Sequence, residues 1–258
     1  MRRGPQPRRL AAGVIYRTSA PHRWIAEAAG GDAALEAQLR ARWEAGEPLQ
    51  YVLGRWGFRH LNIAVDRRAL IPRPETEVLV EVALSVCTHP RRAIDLGTGS
   101  GVIALAIASE CPDAEVWAVD SSPDALALAR SNDPQGTVTF VEGDWYAGLP
   151  AHLFGTTDLI VSNPPYVSAA EYAELESVVR DWEPRSALVS GPSGLECLRP
   201  IVEGAPAWLA PAGVLAVECA PHQVDAVLEL CRLAGLGEAT AHPDLTGRPR
   251  VVTASRLG

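Results

Sequence analysis

Residues 95–101 read Asp-Leu-Gly-Thr-Gly-Ser-Gly, and they follow the apolar pair Ala93-Ile94. The next segment, 101–109, is rich in alanine and isoleucine and is predicted to be a helix. Glycines between a strand and a helix let the backbone approach a ligand closely and start the helix tightly. This stretch therefore predicts an α/β sheet with a ligand site at the end of its first strand.

Strands and helices alternate from this point to the end of the chain. Helices are predicted at 101–109, 123–131, 194–209 and 222–233, although Pro200 and Pro206 weaken the continuity of the third. Such alternation is typical of a parallel sheet that is covered by helices on both faces. We therefore predict a single α/β domain over 75–258. The predicted strands lie near 93–95, 114–119, 137–141, 158–161, 214–218, 238–241 and 248–254.

The part of the chain ahead of this domain has two predicted regions. Region 1–47 is expected to be a small helical docking region, with helices at 20–29 and 33–45 and its first ten or so residues disordered. Asp32 is a plausible N-cap for the second helix. Region 48–74 is expected to hold a β-hairpin, formed by alternating residues from Pro48 to Val65, and a stiff linker.

Composition excludes several kinds of chemistry. All 23 basic residues are arginine and the net charge is −8, which excludes lysine Schiff bases and P-loops and argues against a general duplex-DNA binder. The five cysteines form no C-x-x-C pair and the six histidines are scattered. We therefore expect free thiols, a cytoplasmic location and no metal site. No apolar run approaches the length of a membrane span, so no membrane partner is expected.

Two acidic residues suggest which ligand the glycine turn binds. Asp120 ends the next predicted strand, where a carboxylate can accept hydrogen bonds from ribose hydroxyls. The glycine turn also fits the dinucleotide pattern G-x-G-x-x-A, through Gly99, Gly101 and Ala104. Asp95 precedes the glycines, and its carboxylate would suit a ligand with a cationic end but repel a pyrophosphate. Asp95 therefore favours S-adenosyl-L-methionine over NAD, as does the Asn-Pro-Pro-Tyr segment at a later strand end, for which NAD enzymes have no use.

A second motif, Asn163-Pro-Pro-Tyr166, follows the apolar strand at 158–161. An amide or exocyclic-amine nitrogen is a weak nucleophile, so a site that methylates it must hold both of its N–H groups. The Asn163 side-chain oxygen can accept one, and the Pro164 carbonyl, whose direction proline fixes, can accept the other. Tyr166 offers an aromatic face to a planar group. A simple turn with an asparagine cap is the structural alternative.

At this point the chain resembles the protein-(glutamine-N5) methyltransferases, most closely the release-factor (PrmC/HemK) type. The resemblance implies a Rossmann-like class I methyltransferase fold, with seven strands of which the last is antiparallel, that uses S-adenosyl-L-methionine. It also implies that the substrate is the glutamine of the Gly-Gly-Gln motif in class 1 peptide chain release factors. Separately, we expect the protein to be a cytoplasmic monomer. The motifs that carry it are Pro48-Leu-Gln-Tyr-Val-Leu-Gly54, Leu70-Ile-Pro-Arg-Pro-Glu-Thr-Glu77, the glycine turn, Asn163-Pro-Pro-Tyr166 and Trp182-Glu-Pro-Arg-Ser-Ala-Leu188.

The resemblance also implies residue roles. Asp120 would bind the ribose hydroxyls and Trp145 would lie near the adenine, although packing alone could explain Trp145. Asn163 would contact the donor as well as the substrate. The methionine and ribose of the donor would lie against Asp95, Gly97, Thr98, Gly99, Ser100 and Gly101. The glutamine amide would be held by Asn163, Pro164, Pro165 and Tyr166.

Two departures from the family pattern keep other functions open. Family members usually have a longer helical region ahead of the segment that begins at Pro48, and a glycine more usually follows the acid at Glu218. Another protein glutamine could therefore be the target. An exocyclic amine of an RNA or DNA base is a second alternative, because similar Asn/Asp-Pro-Pro-Tyr segments occur in enzymes that methylate bases. A binding module with a decayed site is a further alternative, which the intact motif residues argue against.

Overall fold

The computed structural model describes residues 20–258, so the predicted disorder of the first ten residues lies outside the described part. No helix in this part is both long and apolar enough to cross a bilayer. The helices are α1 (Ala20–Ala29), α2 (Ala33–Glu44), α3 (Leu49–Leu53), α4 (Pro74–Val86), α5 (Val102–Glu110), α6 (Pro123–Asn132), α7 (Ala169–Tyr172), α8 (Ser177–Arg180), α9 (Leu198–Trp208) and α10 (Val224–Leu233). The strands are β1 (Arg55–Phe58), β2 (Leu61–Ala64), β3 (Arg92–Leu96), β4 (Glu115–Asp120), β5 (Val138–Glu142), β6 (Thr157–Ser162), β7 (Val167–Ser168), β8 (Val189–Gly191), β9 (Leu209–Glu218), β10 (Leu236–Pro243) and β11 (Pro249–Arg256).

The first two helices form as the sequence predicts. The Asp32 side chain accepts hydrogen bonds from the backbone N–H groups of Ala34 and Leu35, which satisfies two free donors at the start of α2. A small separate core of Ile25, Leu39 and Val52 joins α1, α2 and α3. The division of the chain at 47 and 74 stays a prediction.

The hairpin prediction is wrong in its first half. Residues 49–53 form α3, which ends at Gly54 in the left-handed conformation, with φ of 70°. Arg42 donates to the Tyr51 and Val52 carbonyls near the end of this short helix. The hairpin is made by β1 and β2, which pair antiparallel within the second apolar run.

The main sheet has seven strands in the order β10-β11-β9-β6-β3-β4-β5. Strand β11 runs antiparallel to both β9 and β10, whereas β9, β6, β3, β4 and β5 pair in parallel. Numbered by their sequence order within this sheet, the strands follow 3-2-1-4-5-7-6, and the predicted fold class is confirmed. Because β3 lies between β4 and β6, the glycine turn, Asp120 and the Asn-Pro-Pro-Tyr segment lie together at the C-terminal edge of the sheet.

The core lies on both faces of this sheet. Alternate residues of β3 serve opposite faces: Ala93 packs with α4 and α5, whereas Ile94 packs with α9 and α10. All five cysteines lie in the described residues and are free thiols; Cys219 and Cys231 are buried and the other three are half-buried.

Candidate active site

A cavity of about 310 Å³ lies at the C-terminal edge of the sheet, next to the ends of β3, β4 and β6. Its volume falls at the lower end of the range for small-molecule sites. It also extends to the connector before α4 and to the segment after Glu183. The predicted site residues that line it are Gly97, Thr98, Gly99, Ser100, Asp120, Trp145, Asn163 and Pro165.

The glycine turn and Trp145 form one wall. The N–H groups of Gly97 and Thr98 both donate to the Val119 carbonyl at 2.8 and 2.9 Å, which holds the turn against β4. Gly97 has φ of 74°, and a Cβ there would lie 3.4 Å from the Trp145 ring. The absence of a side chain at Gly97 therefore lets the Trp145 ring pack close to the turn, and both residues line the cavity.

Asp120 lies at the end of β4 and joins the turn to the next helix. Its Oδ2 accepts from the Gly99 N–H at 2.8 Å, and its Oδ1 accepts from the Ser122 N–H at 2.9 Å. Burial raises the pKa of Asp120, and these backbone hydrogen bonds partly offset that rise. A carboxylate has about four acceptor sites, so Asp120, which lines the cavity, can also accept from a ligand hydroxyl.

Asp95 lies behind the glycine turn and does not line the cavity. Its side chain is fully buried, and Oδ2 accepts from the Thr98 hydroxyl at 2.6 Å and the Ala104 N–H at 3.2 Å. Burial raises the pKa of Asp95 to about 7. Within residues 20–258 no hydrogen-bond partner reaches Oδ1. The Asp95 carboxylate is thus bound to the glycine turn and to α5, and its predicted contact with a ligand stays a prediction.

Gly101 is also set back from the cavity. It precedes α5 in the left-handed conformation, with φ of 86°, and a Cβ there would come within 3.2 Å of Ala129. Its N–H donates to the Thr98 carbonyl. Gly101 thus shapes the turn and lets α5 and α6 pack closely, while Gly97 and Gly99 provide the surface.

The Asn-Pro-Pro-Tyr segment forms the opposite side. Ser162 donates its hydroxyl to the Leu96 carbonyl at 2.6 Å, which fixes the end of β6 beside the glycine turn. Asn163 and Pro165 line the cavity, whereas Pro164 is buried and does not line it. Asn163 Nδ2 donates to Thr76 Oγ1 at 2.9 Å, so the carboxamide is held from its nitrogen side.

Tyr166 does not line the cavity. Its hydroxyl donates to Glu218 Oε1 at 3.1 Å, and Arg250 lies 6.0 Å from its ring centroid. Burial, followed by the nearby Glu218 charge, raises the pKa of Tyr166, so the phenol stays protonated. Its predicted aromatic face is therefore not on the cavity wall in this structure, because the hydroxyl is bound to the end of β9.

Glu218 is the acidic centre behind the segment. It is 1% exposed, and its Oε2 accepts from the Thr76 hydroxyl at 2.9 Å. Burial raises the pKa of Glu218 to about 7, although the hydrogen bonds from Thr76 and Tyr166 and the charge of Arg250 oppose the rise. Glu75 adds a like charge that raises it further.

Gln223 braces the backbone of the same segment. Its Nε2 donates to the carbonyls of Tyr166 and Gly194, at 2.8 and 3.1 Å, and its Oε1 accepts from the Ala220 N–H. A Cβ at Gly194, where φ is 80°, would lie 2.5 Å from Gln223 Nε2. The residues between Glu218 and Gln223 therefore belong to the site's supporting structure.

Glu183 joins two further motifs at the mouth of the cavity. Its buried carboxylate accepts from the Ile71 N–H at 3.1 Å and forms an ion pair with Arg73. Nearby, the Arg67 guanidinium stacks on the Trp182 ring at 3.9 Å. These contacts explain why the connector before α4 and the segment after Trp182 line one cavity.

The sequence reasoning missed the supporting residues Thr76, Glu183, Glu218 and Gln223. One signal was available: Glu218 ends the apolar strand run 214–218, and an acid in such a position needs a partner when it is buried. Among residues 20–258, no three histidine, cysteine, aspartate or glutamate side chains come together in an arrangement that could bind a metal ion.

Comparison with known proteins shows that this chain is similar to methyltransferases. The family model described as methyltransferase small domain matches residues 74–181. A release factor glutamine methyltransferase from Xylella fastidiosa is 46% identical over 219 residues, which cover 83% of this chain and 77% of that protein.

Two other similarities extend this result. A release factor glutamine methyltransferase from Cereibacter sphaeroides is 39% identical over 273 aligned residues, covering 98% of this chain and 96% of that protein. The crystal structure of a methyltransferase from Pyrococcus furiosus has a TM-score of 0.58 and 18% identity, and covers 86% of this chain and all of that one. At that identity the structural likeness establishes the fold alone.

Proposed function

The chain belongs to the family of release factor glutamine methyltransferases, and we propose that it methylates the side-chain N5 of the glutamine in the Gly-Gly-Gln motif of class 1 peptide chain release factors. The donor is S-adenosyl-L-methionine, which supplies an electrophilic methyl group on a sulfonium. The observation that carries the proposal is the Asn163 carboxamide, which lines the cavity and is held through its nitrogen by Thr76.

The residues around the cavity fit this donor. Its volume of about 310 Å³ is that of a small-molecule site, and the side-chain-free surface of Gly97 beside Trp145 leaves room for a planar base. Asp120 would bind the ribose hydroxyls with the lone pairs that Gly99 and Ser122 leave free. Trp145 would contact the adenine, and the turn 97–100 would contact the methionine and ribose.

Asn163 and Pro164 would hold the substrate amide. Because Asn163 Nδ2 is bound to Thr76, its Oδ1 is free to accept one N–H of the glutamine. The Pro164 carbonyl, set in direction by the proline ring, would accept the other. With both N–H groups held, the nitrogen lone pair is aimed at the methyl group, and most of the catalysis is positioning.

Asp95 supports this site from behind. It holds Thr98 and the first turn of α5 through Oδ2, and so keeps the glycine turn in the shape the donor needs. Tyr166 anchors the segment to Glu218, and Pro165 provides the wall beside Asn163.

The test is mass spectrometry of purified release factor after incubation with this protein and isotope-labelled S-adenosyl-L-methionine. We expect one labelled methyl group on the Gly-Gly-Gln peptide and none when that glutamine is changed to alanine. Donor binding without methylation of the release factor would refute the substrate and direct the search to other glutamine-bearing proteins.

A further inference from the structure

Four side chains form a continuous line of hydrogen bonds that starts at the cavity wall, which Asn163 and Thr76 line, and continues behind it to Glu218 and Tyr166. Asn163 Nδ2 donates to Thr76 Oγ1 at 2.9 Å, and Thr76 donates to Glu218 Oε2 at 2.9 Å. On the other side of the carboxylate, Tyr166 donates to Glu218 Oε1 at 3.1 Å. Thr76 and Glu218 are 3% and 1% exposed, so water does not substitute for either partner.

Counting donors fixes the direction of every bond in this line. An ionised carboxylate can only accept hydrogen bonds, so the Thr76 hydroxyl must donate its single proton to Glu218. Toward Asn163 the threonine hydroxyl can then only accept, and the carboxamide must present its NH₂ group to it. The Asn163 oxygen is consequently the end of the carboxamide that does not face Thr76, in a residue that lines the cavity.

This direction matters because a carboxamide has nearly the same shape after a half-turn. The turned form would present NH₂ to the NH₂ of a glutamine substrate, and two donors would face each other. An accepting oxygen on the cavity side is therefore a property that Asn163 does not secure alone.

We propose that Glu218 and Thr76 are positioning residues for the substrate amide: the buried carboxylate, acting through the threonine hydroxyl, holds the Asn163 oxygen toward the cavity. The inference rests on the proposed function for its substrate. It assigns a role to one acid at the end of β9 and one threonine in the first turn of α4, which lie 142 residues apart in sequence.

The direction of the hydrogen bonds that join Asn163, Thr76 and Glu218 depends on pH. The groups that face Glu218 are Thr76 and Glu75 of α4, Tyr166, Arg250 of β11 and the adjoining Cys219. On the far side of Arg250, its Nε lies 4.0 Å from Asp244 Oδ2. Burial raises the pKa of Glu218 to about 7, against the opposing effects of Arg250 and the two hydroxyls. Once protonated, the carboxyl becomes a donor, and Thr76 is no longer forced to accept from Asn163. Turnover should therefore fall as the pH drops through about 7.

The first experiment compares Thr76→Val, which keeps the shape and removes the hydroxyl, with Thr76→Ser, which keeps the hydroxyl. Thr76→Val should lower kcat on release factor by about 10- to 100-fold, with donor affinity unchanged, because the amide loses its directing partner. Thr76→Ser should restore most of the turnover. The matched control is Thr156→Val at a half-exposed threonine before β6, which should leave kcat unchanged.

The second variant, Glu218→Gln, replaces the titrating group. The wild type should lose kcat toward acid with a midpoint near pH 7, and this loss should be absent from Glu218→Gln. An unchanged midpoint in Glu218→Gln, or a kcat of Thr76→Val within twofold of Thr76→Ser, would overturn the proposal.

A third measurement does not need the methylation reaction. Hydrogen exchange of the Asn163 side-chain NH₂, followed by NMR in the complex with S-adenosylhomocysteine, should be slow in the wild type and fast in Thr76→Val. Equal exchange in both would refute the orientation. Slow exchange in a wild type that does not methylate release factor would leave the orientation standing and refute the substrate.

Discussion

Replacing Asp120 with alanine tests the donor site most directly. The carboxylate accepts from the Gly99 and Ser122 N–H groups at 2.8 and 2.9 Å, and it lines the cavity where a ribose would lie. A hydrogen bond to a charged group contributes roughly 1.5–3 kcal/mol, and each 1.4 kcal/mol is tenfold in affinity. Losing one such bond to a ribose hydroxyl should therefore raise the donor Kd by about 10- to 100-fold.

The same change should cost the fold less than the two lost backbone bonds suggest. Burial raises the pKa of Asp120, which means that the ionised carboxylate is poorly solvated in the folded protein. Removing it relieves that penalty and offsets part of the loss. Thermal unfolding should thus show a small shift beside the large loss of donor affinity.

The assay is isothermal titration calorimetry with S-adenosylhomocysteine, which binds without turnover. Asp124→Ala is the matched control, because this residue is exposed in the first turn of α6 and its loss removes the same charge. Asp124→Ala should bind like the wild type. A Kd for Asp120→Ala within twofold of both would remove Asp120 from the ribose site.

Three further predictions concern Asn163, Asp95 and Gly194. Asn163→Ala should lower kcat by about 10²–10³-fold with little change in donor Kd by calorimetry; loss of donor binding would contradict its place on the substrate side. Burial raises the pKa of Asp95 to about 7, so its contribution to stability is full below its ordinary pKa near 4 and is lost as the pH rises through about 7. Urea unfolding should show a fall of about 2 to 3 kcal/mol from Asp95 between pH 5, about two units below its folded pKa, and pH 8. This fall should be missing in Asp95→Asn, and an equal fall in the variant would be the contrary result. Gly194→Ala should destabilise the fold by about 2 kcal/mol or more, because its Cβ would lie 2.5 Å from Gln223 Nε2. The control is Gly136→Ala, which has a similar φ of 67° but no atom within 4 Å of its Cβ and should destabilise the fold less. Equal losses of unfolding free energy in urea would contradict the contact.

The sequence predicts those parts of the structure that depend on local pattern. The glycine turn, the acid at the end of β4 and the asparagine at the end of β6 all lie where the strand alternation puts them. Parallel neighbours bring their carboxyl ends to one edge, so residues 97 and 163 meet although they are far apart in the chain.

The errors come from contacts that cross between elements. The segment 48–54 has a strand-like pattern, but Gly54 and the bonds from Arg42 make it a helix. The role of Tyr166 beside the substrate stays a prediction, but the hydrogen bond from its hydroxyl to Glu218, 52 residues away in sequence, is a contact that no local pattern indicates. A buried acid determines the orientation of its neighbours, and single-sequence patterns do not show which neighbours those are.

The network also explains how the site works without a strong base. Both oxygens of Glu218 already accept hydroxyl protons, and Thr76 stands between this acid and Asn163. An amide nitrogen that has gained a methyl group is strongly acidic, because its lone pair no longer delocalises into the carbonyl, and its proton passes to water unaided. What the reaction requires of the protein is the alignment of the amide before transfer. Glu218 therefore serves the reaction as a fixed acceptor, and an environment that lets it protonate near pH 7 makes that alignment sensitive to acid.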